Sequence, residues 1–369
     1  KPPRLNKDIA RHVKARFCLN EGTHYKYHDE LEYASEAEKW LQMAATESDK
    51  LITSGRYEIY NTGHPQEDYF NMYRIDDKSD LKEAVLYVDY KTNIREHNMA
   101  AAGREAGCGF SKSFVESFLC SDGLPISLSN KYLGDETMRK ETANRDPRLK
   151  QLILTNDFPT NVTDDLKDST FVVNEDEFIT QHCFTGYRPI KGFNPIYSQA
   201  LYMKSSFDGI AYRYAETLLI NAEAKAELNT ITNADLDRTV NQLRDRVGMP
   251  HLTVNVGFTD PKWPDWGYSL SPVLQEIRRE RCIELAGEGF RFNDLKRWKA
   301  GKLLNNVLTY VGKRKPDGNL AIVYPNYTNP DLSYQAGKSR TWEDKMYLYP
   351  IPTGELQRNP QLLPQNPGW

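Results

Sequence analysis

Apolar residues recur at a helical period in several stretches of this chain, separated by long polar, loop-forming segments. Ile9, Val13 and Phe17 fall at i, i+4 and i+8, which predicts a helix that buries those three on one face. A second helix carries Ala37, Leu41, Ala44, Ser48 and Leu51 on one face. Ser35-x-x-Glu38 reads as a capping box at its start, and Gly55 as the left-handed residue at its end. Farther on, Ala211, Ala215, Leu218, Ala222 and Ala226 form a stripe opposite Leu236, Val240, Leu243 and Val247, and the second segment stops at Gly248-Met249-Pro250. Two more helices are expected, from about 272 to 287 and from about 290 to 299.

Small residues on facing stripes let two backbones approach closely, as in stacked tetratricopeptide-like hairpins. The expected fold is therefore mainly α, a scaffold of such hairpins with a loop-rich side carrying short strands. Along the chain this gives a first hairpin at 1–55 and a loop-rich variable region at 56–200. A second hairpin at 201–250 is followed by an aromatic loop at 251–270, a third helical pair at 271–300, and a C-terminal loop, strand and ordered tail at 301–369. Tyr347-Leu348-Tyr349-Pro350-Ile351-Pro352 reads as the strand, and the tail that ends on Trp369 as tied down by packing. Loops as long as 56–200 are uncommon unless functional, and binding residues gather on loops held by rigid elements.

Composition narrows the function. The chain of 369 residues, with 39% hydrophobic and 27% charged side chains, has the make-up of a globular protein. Its net charge of −3, mixed along the sequence, offers no basic footprint for nucleic acid. No apolar run approaches the roughly 20 residues that span a bilayer. Cys18, Cys108, Cys120, Cys183 and Cys282 are odd in number and scattered, neither a disulfide framework nor a zinc site. Tyr is abundant, at 22 residues, beside 14 Phe and 6 Trp, and rings with an apolar face and a polar tip suit ligand surfaces as well as cores.

Candidate chemistry falls into two groups. Glu280, Glu284 and Glu288 share one helical face, and paired carboxylates are what glycoside hydrolysis requires. The stripe Leu274, Ile277, Arg281, Glu284 turns that face inward, so the row reads instead as a buried ion network with Arg279, Arg281, Arg291, Arg297 and Asp294 as partners. The aromatic loops are the binding candidates. Trp263, Asp265, Trp266 and Tyr268 sit in a Pro/Gly-rich connection where rings can be held rigidly against a sugar, with Asn255 and Asp260 as a polar rim. Tyr187, Arg188, Phe193 and Tyr197 form a second set, and Tyr327, with Tyr324, Asn326 and Tyr334, a third. His24 and His28 could present one metal face, and Asp164, Asp165 and Asp168 could ligate calcium. No cofactor is expected, with calcium as the minor exception, and no enzyme activity.

Arg279-Glu280-Arg281-x-x-Glu284-Leu285-x-x-Glu288-Gly289-x-Arg291-x-x-Asp294-Leu295-x-Arg297-Trp298, followed by the Tyr347–Pro352 run and the Gln365-Asn366-Pro367-Gly368-Trp369 ending, resembles the SusD/RagB family. Arg4-Leu5-Asn6, Ser54-Gly55-Arg56-Tyr57, Asn144-Arg145-Asp146-Pro147-Arg148-Leu149 and Thr185-Gly186-Tyr187 extend the resemblance along nearly the whole chain. It implies a SusD-like scaffold, with Trp342 and Trp369 as core anchors. It implies non-catalytic binding of an oligosaccharide or polysaccharide at the outer-membrane surface of Bacteroidetes, and delivery to a SusC-like TonB-dependent transporter. Membrane attachment would come from a lipidated cysteine upstream of Lys1, in an N-terminal part absent from this sequence. A peptide or glycoprotein-derived nutrient is the alternative ligand; a glycosidase and a pure protein-interaction scaffold are the rival classes.

Overall fold

The computed structural model describes residues 4–99, 109–180, 182–322 and 341–369. It opens with α1 (Lys7–Tyr27), started by Asn6, whose side chain accepts from the amides of Asp8 and Ile9. Its buried stripe is Ile9, His12, Ala15, Cys18, Leu19, Gly22 and Thr23, and Val13 and Phe17 are left 41% and 54% exposed. Hydrophobicity alone therefore selects the wrong face. The true one sets Ile9 and Leu19 among small residues and His12, which bonds Glu216 at 2.8 Å. A β-carbon on Gly22 would stand 2.8 Å from the Leu41 side chain, so the missing side chain is what lets the next helix approach.

That helix, α2 (Ala37–Ile52), buries all five residues expected of it. The capping box does not form. Ser35 lies in a tight turn, Ala34–Glu36, and the cap residue Glu36 makes no side-chain bond to the helix start. Gly55 takes the left-handed conformation at φ +64°.

The loop-rich region contains short elements: α3 (Asp68–Asn71), β1 (Ala84–Val88), α4 (Lys112–Ser117), α5 (Met138–Thr142), α6 (Arg148–Leu152), β2 (Asn161–Val162) and β3 (Ser169–Thr170). Most of them pack around a core in which Phe118, Leu149, Leu152, Ile153, Phe178 and Phe193 meet with Val247, Met249 and Ile283 of the helical scaffold, whereas Val85 of β1 joins the core around the next long helix. Then β4 (Gly209–Arg213) pairs antiparallel with β1 and runs into α7 (Tyr214–Glu227). Ala215, Leu218, Ala222 and Ala226 are buried on α7 as the stripe predicts, whereas Ala211 is exposed on β4. The opposing segment divides at Thr239 into α8 (Asn233–Asp237) and α9 (Val240–Arg246), with all four predicted apolar residues buried.

The chain continues with α10 (Pro272–Glu284), α11 (Arg291–Arg297), the hairpin β5 (Val311–Arg314) and β6 (Leu320–Ile322), and α12 (Thr353–Arg358). Among the described residues Tyr347–Pro352 joins no sheet; it leaves a tight turn and runs extended. The tail is mostly exposed and held by hydrogen bonds rather than packing. The Gln365 amide exchanges two bonds with the Ile351 backbone, and Asn366 donates to the Tyr349 carbonyl. Trp369 is not a core anchor: its ring is 47% exposed, and its Nε1 donates to the carbonyls of Lys345 and Leu348. Trp342 is half-buried against Tyr347.

Charge crosses the middle of the fold. The Glu280-Glu284-Glu288 row is turned inward as expected, but most of its partners come from other elements. Glu284 binds Arg246 at 2.6 Å, Arg148 at 2.9 Å and Arg213 at 2.5 Å. Arg148 and Arg244 hold Glu280, and Arg213 and Lys191 hold Glu288. Asp294 is gripped by Arg281 and Arg297, as the sequence suggests, and Glu223 on α7 receives Arg297 and the Trp298 Nε1. Arg291 stays outside the network, exposed at the start of α11. Burial pushes the Glu284 carboxyl up, but Arg246, Arg213 and Arg148 outweigh it and hold it far below its ordinary value.

Removing one member strands the others without water, so Glu284→Gln is expected to destabilise the fold by about 3–5 kcal/mol in urea denaturation. Glu216 sets an acid limit. Burial pushes its carboxyl up, yet the bonds and charges of His12 and Arg16 pull it from 4.5 to about 2. Its contribution is complete above pH 4.5 and lost as pH falls toward 2. Over that interval the stability of Glu216→Gln is expected to fall less steeply with pH than that of the wild type.

Candidate functional site: a tryptophan-lined cleft

A cleft of about 720 Å³ opens where four elements converge. One wall is the connection 260–266, the second is α4, the floor is α10, and the far side is α11 with the turns at 302–309. Trp263, Asp265 and Trp266 all line it. Trp263 is half-buried, and its Nε1 donates to Glu276 Oε1 at 2.7 Å, so one edge of the indole is fixed. Asp265 is exposed at the mouth, where its carboxylate accepts from the Gly267 amide.

Arg279 fastens this wall. From α10 its guanidinium reaches Asp260 at 2.6 Å, the Ser117 carbonyl at the end of α4 at 3.0 Å, and Glu276, the residue that holds Trp263. Asp260 is therefore not a rim residue. It is buried and accepts from Arg279, Ser127 and the Lys262 amide; these bonds outweigh burial and keep its carboxyl below the usual range. Lys262 Nζ lies 3.3 Å from Glu116 on α4, closing the corner between the two walls.

The other nominated aromatics divide between the core and distant surfaces. Trp266 touches the cleft with one edge but is otherwise buried against Trp298, with the Arg278 guanidinium 4.7 Å from its ring. Tyr268 stacks on Tyr27 and donates to the Trp298 carbonyl; burial, opposed by Arg278, pushes its hydroxyl up to about 12. Both rings pin the connection to the scaffold.

Tyr187 is fully buried, with its hydroxyl donating to Glu141 beside Lys112, so it cannot meet a ligand. Phe193 belongs to the loop-region core, Arg188 lies with its guanidinium 5.7 Å from the Phe193 ring, and Tyr197 is exposed away from the cleft. Tyr327 and its neighbours Tyr324, Asn326 and Tyr334 lie outside the described residues. Asn255 is exposed on the connection but does not line the cleft.

What the sequence reading missed is the far wall. Leu303, Leu304 and Leu308 give it an apolar surface, and Arg291 and Lys302 give it charge. A separate, larger groove of about 1150 Å³ runs along the open face of α1, past Val13 and Phe17, to Glu288 and Lys191. The charged groups on its floor already pair with each other.

The side chains of both metal readings are engaged in other contacts. His24 and His28 stack at 4.1 Å, His28 is turned to Glu30 and the Lys296 carbonyl, and burial with the His28 charge pushes His24 down to about 4. Asp164 accepts from the Ser198 amide and Asp165 from Thr163. Among the described residues no three His, Cys, Asp or Glu side chains converge as a metal site.

The model of the SusD family matches residues 46–369. The chain belongs to the SusD family. The SusD-like protein P2 of Formosa agariphila is 33% identical to it over 166 residues, 45% of this chain and 27% of that protein. A SusD-like protein of Bacteroides fragilis superposes over 100% of this chain and 66% of its own, with TM-score 0.68 and 24% identity. A SusD-like carbohydrate-binding protein of the same species covers 98% of this chain and 65% of its own, with TM-score 0.66 and 21% identity. At these identities the superpositions show the fold: a mostly helical SusD scaffold with loops on it. The chain spans about two thirds of the length of these two structures.

If Arg279 fastens the Trp263 wall, Arg279→Ala will speed hydrogen exchange across 257–268 and the end of α4. Exchange in α1 and α2 will stay as in the wild type. Equal acceleration everywhere would show a global rather than a local role.

Proposed function

We infer that this SusD-family protein binds an oligosaccharide or polysaccharide without altering it, and that the ligand enters the cleft lined by Trp263. The observation that carries the reading is Trp263 itself, an indole half open to a concave site and fixed through Glu276 and Arg279. A sugar ring has C–H groups on one face and hydroxyls around its rim, and an immobilised indole face with a nearby carboxylate matches both. Asp265, Gln275 and Asn306 supply polar groups along the same cleft. Membership of the SusD family and a fold neighbour described as carbohydrate-binding support the same ligand class.

Retaining and inverting glycosidases need an acid and a second carboxylate free to face the sugar. Here Glu280 and Glu284 are locked among arginines, and Asp260 is held by Arg279. In this reading the protein works at the outer-membrane surface with a SusC-like TonB-dependent transporter, presenting the glycan for import. Among the described residues no helix is long and apolar enough to cross a membrane. One or two rings give modest affinity per site, which repeated engagement along a polymer raises.

Affinity electrophoresis against plant, algal and microbial polysaccharides is expected to show retardation by one of them. Trp263→Ala should weaken it at least about tenfold, which corresponds to about 1.4 kcal/mol, without loss of fold. Retardation untouched by Trp263→Ala would remove the ligand from this cleft, and its absence with every polysaccharide would overturn the reading.

A further inference from the structure

The charges of the cleft are distributed unevenly between its walls. Five cations line it, Lys262, Arg278, Arg279, Arg291 and Lys302, against the carboxylates of Glu116, Asp260 and Asp265. Pairing uses up most of both sets. Arg279 is bound to Asp260, Lys262 lies against Glu116, and Arg278 reaches past the cleft to Glu227 at 2.9 Å. What is left is Asp265 at the mouth and, on the far wall, Arg291 and Lys302.

Both of these cations are exposed, and among the described residues neither has a carboxylate within ion-pair distance. Their neighbours in sequence behave otherwise: Arg281 and Arg297 bind Asp294, and Lys299 reaches Glu30 at 2.6 Å. Arg291 also stands in the first turn of α11, where a cation opposes the helix dipole, and its guanidinium lies 6.0 Å from the Trp298 ring centre, at the outer limit of a cation–π contact. The fold therefore does not use these two charges to stabilise itself.

We propose that the cleft selects an anionic glycan, with a uronate carboxylate or a sulfate ester reaching Arg291 and Lys302 while a sugar ring lies against Trp263. This rests on the glycan reading above and adds to it the chemical class of the ligand. The planar guanidinium fork of Arg291 can take two oxygens of a carboxylate or sulfate at once, and Lys302 adds a mobile point charge. A protein of net charge −3 has no general attraction for polyanions, so retention by one would have to arise locally.

The test uses affinity electrophoresis with matched pairs: polygalacturonate and its carboxyl-reduced form, a sulfated algal galactan and its desulfated form, and neutral xylan and dextran. Wild type is compared with Arg291→Gln/Lys302→Gln, whose melting temperature should match it because neither side chain is paired, and with Trp263→Ala. The expected result is retardation by a charged member, weakened at least tenfold by removing its charge, by the double substitution or by Trp263→Ala. Which pair responds identifies carboxylate or sulfate.

Retardation by a neutral polysaccharide, unchanged in the double variant, would overturn the anionic assignment and leave the glycan reading standing. Retardation by a charged polysaccharide that survives the double substitution would overturn the role of Arg291 and Lys302. No retardation by any polysaccharide would overturn both readings together.

Discussion

The structure depends on one buried carboxylate. Glu284 sits at the end of α10 with three arginines around it, from α6, β4 and α9. Those elements come from the loop-rich region, the strand leading into the second hairpin, and the hairpin itself, so this one group ties together parts that also meet through apolar contacts such as Leu152 with Ile283 and Leu243 with Ile277 in shared cores. Ion pairs of this kind fix geometry more surely than they add stability, because each charge gives up its hydration to enter the interior. Once all of them are inside, every lost partner leaves an uncompensated charge. The consequence is a rigid frame in which α10 has one position relative to its surroundings.

The cleft is built on the outer side of that helix. Residues of α10 that point inward hold the fold together, while Arg279 and Gln275 hold the aromatic connection on its other side. Arg279 links three things at once: the Asp260 turn, the end of α4, and the glutamate that fixes Trp263. A binding surface needs its ring already in place, since ordering a loop on contact would consume part of the binding free energy. Here the connection is anchored at both ends, by Asp260 before Trp263 and by Trp266 and Tyr268 after it. Charge that the frame leaves unmatched appears where a ligand would lie.

Much of the fold was legible because its signals were local. The α2 face, the α7 stripe and the inward turn of the Glu280–Glu288 row all follow from spacing within one element. The α1 face was not, because its buried stripe includes His12, Gly22 and Thr23, which a hydrophobicity pattern passes over. Nor were the partners of Glu284: Arg148 is 136 residues away in sequence and Arg213 is 71. The Ser35 box had the right letters but fell inside a turn one step before the helix. At the cleft, composition pointed to the 263–268 connection, yet it could not separate Trp263, which is half-buried and lines the cleft, from Trp266 and Tyr268, which pin the loop. The far wall carried no aromatic signal, and Tyr187 looked like a candidate only because its buried partner, Glu141, lies 46 residues upstream.

The central claim is that the ligand occupies the cleft between the Trp263 connection and α11. A crystal structure of the protein soaked with an oligosaccharide cut from the polysaccharide that retards it would test this most directly. The account predicts a sugar ring parallel to the Trp263 indole, at the roughly 4 Å of van der Waals contact, with its polar groups toward Asp265 and the far wall. An oligosaccharide lodged instead in the groove along α1, with the cleft empty, would contradict it.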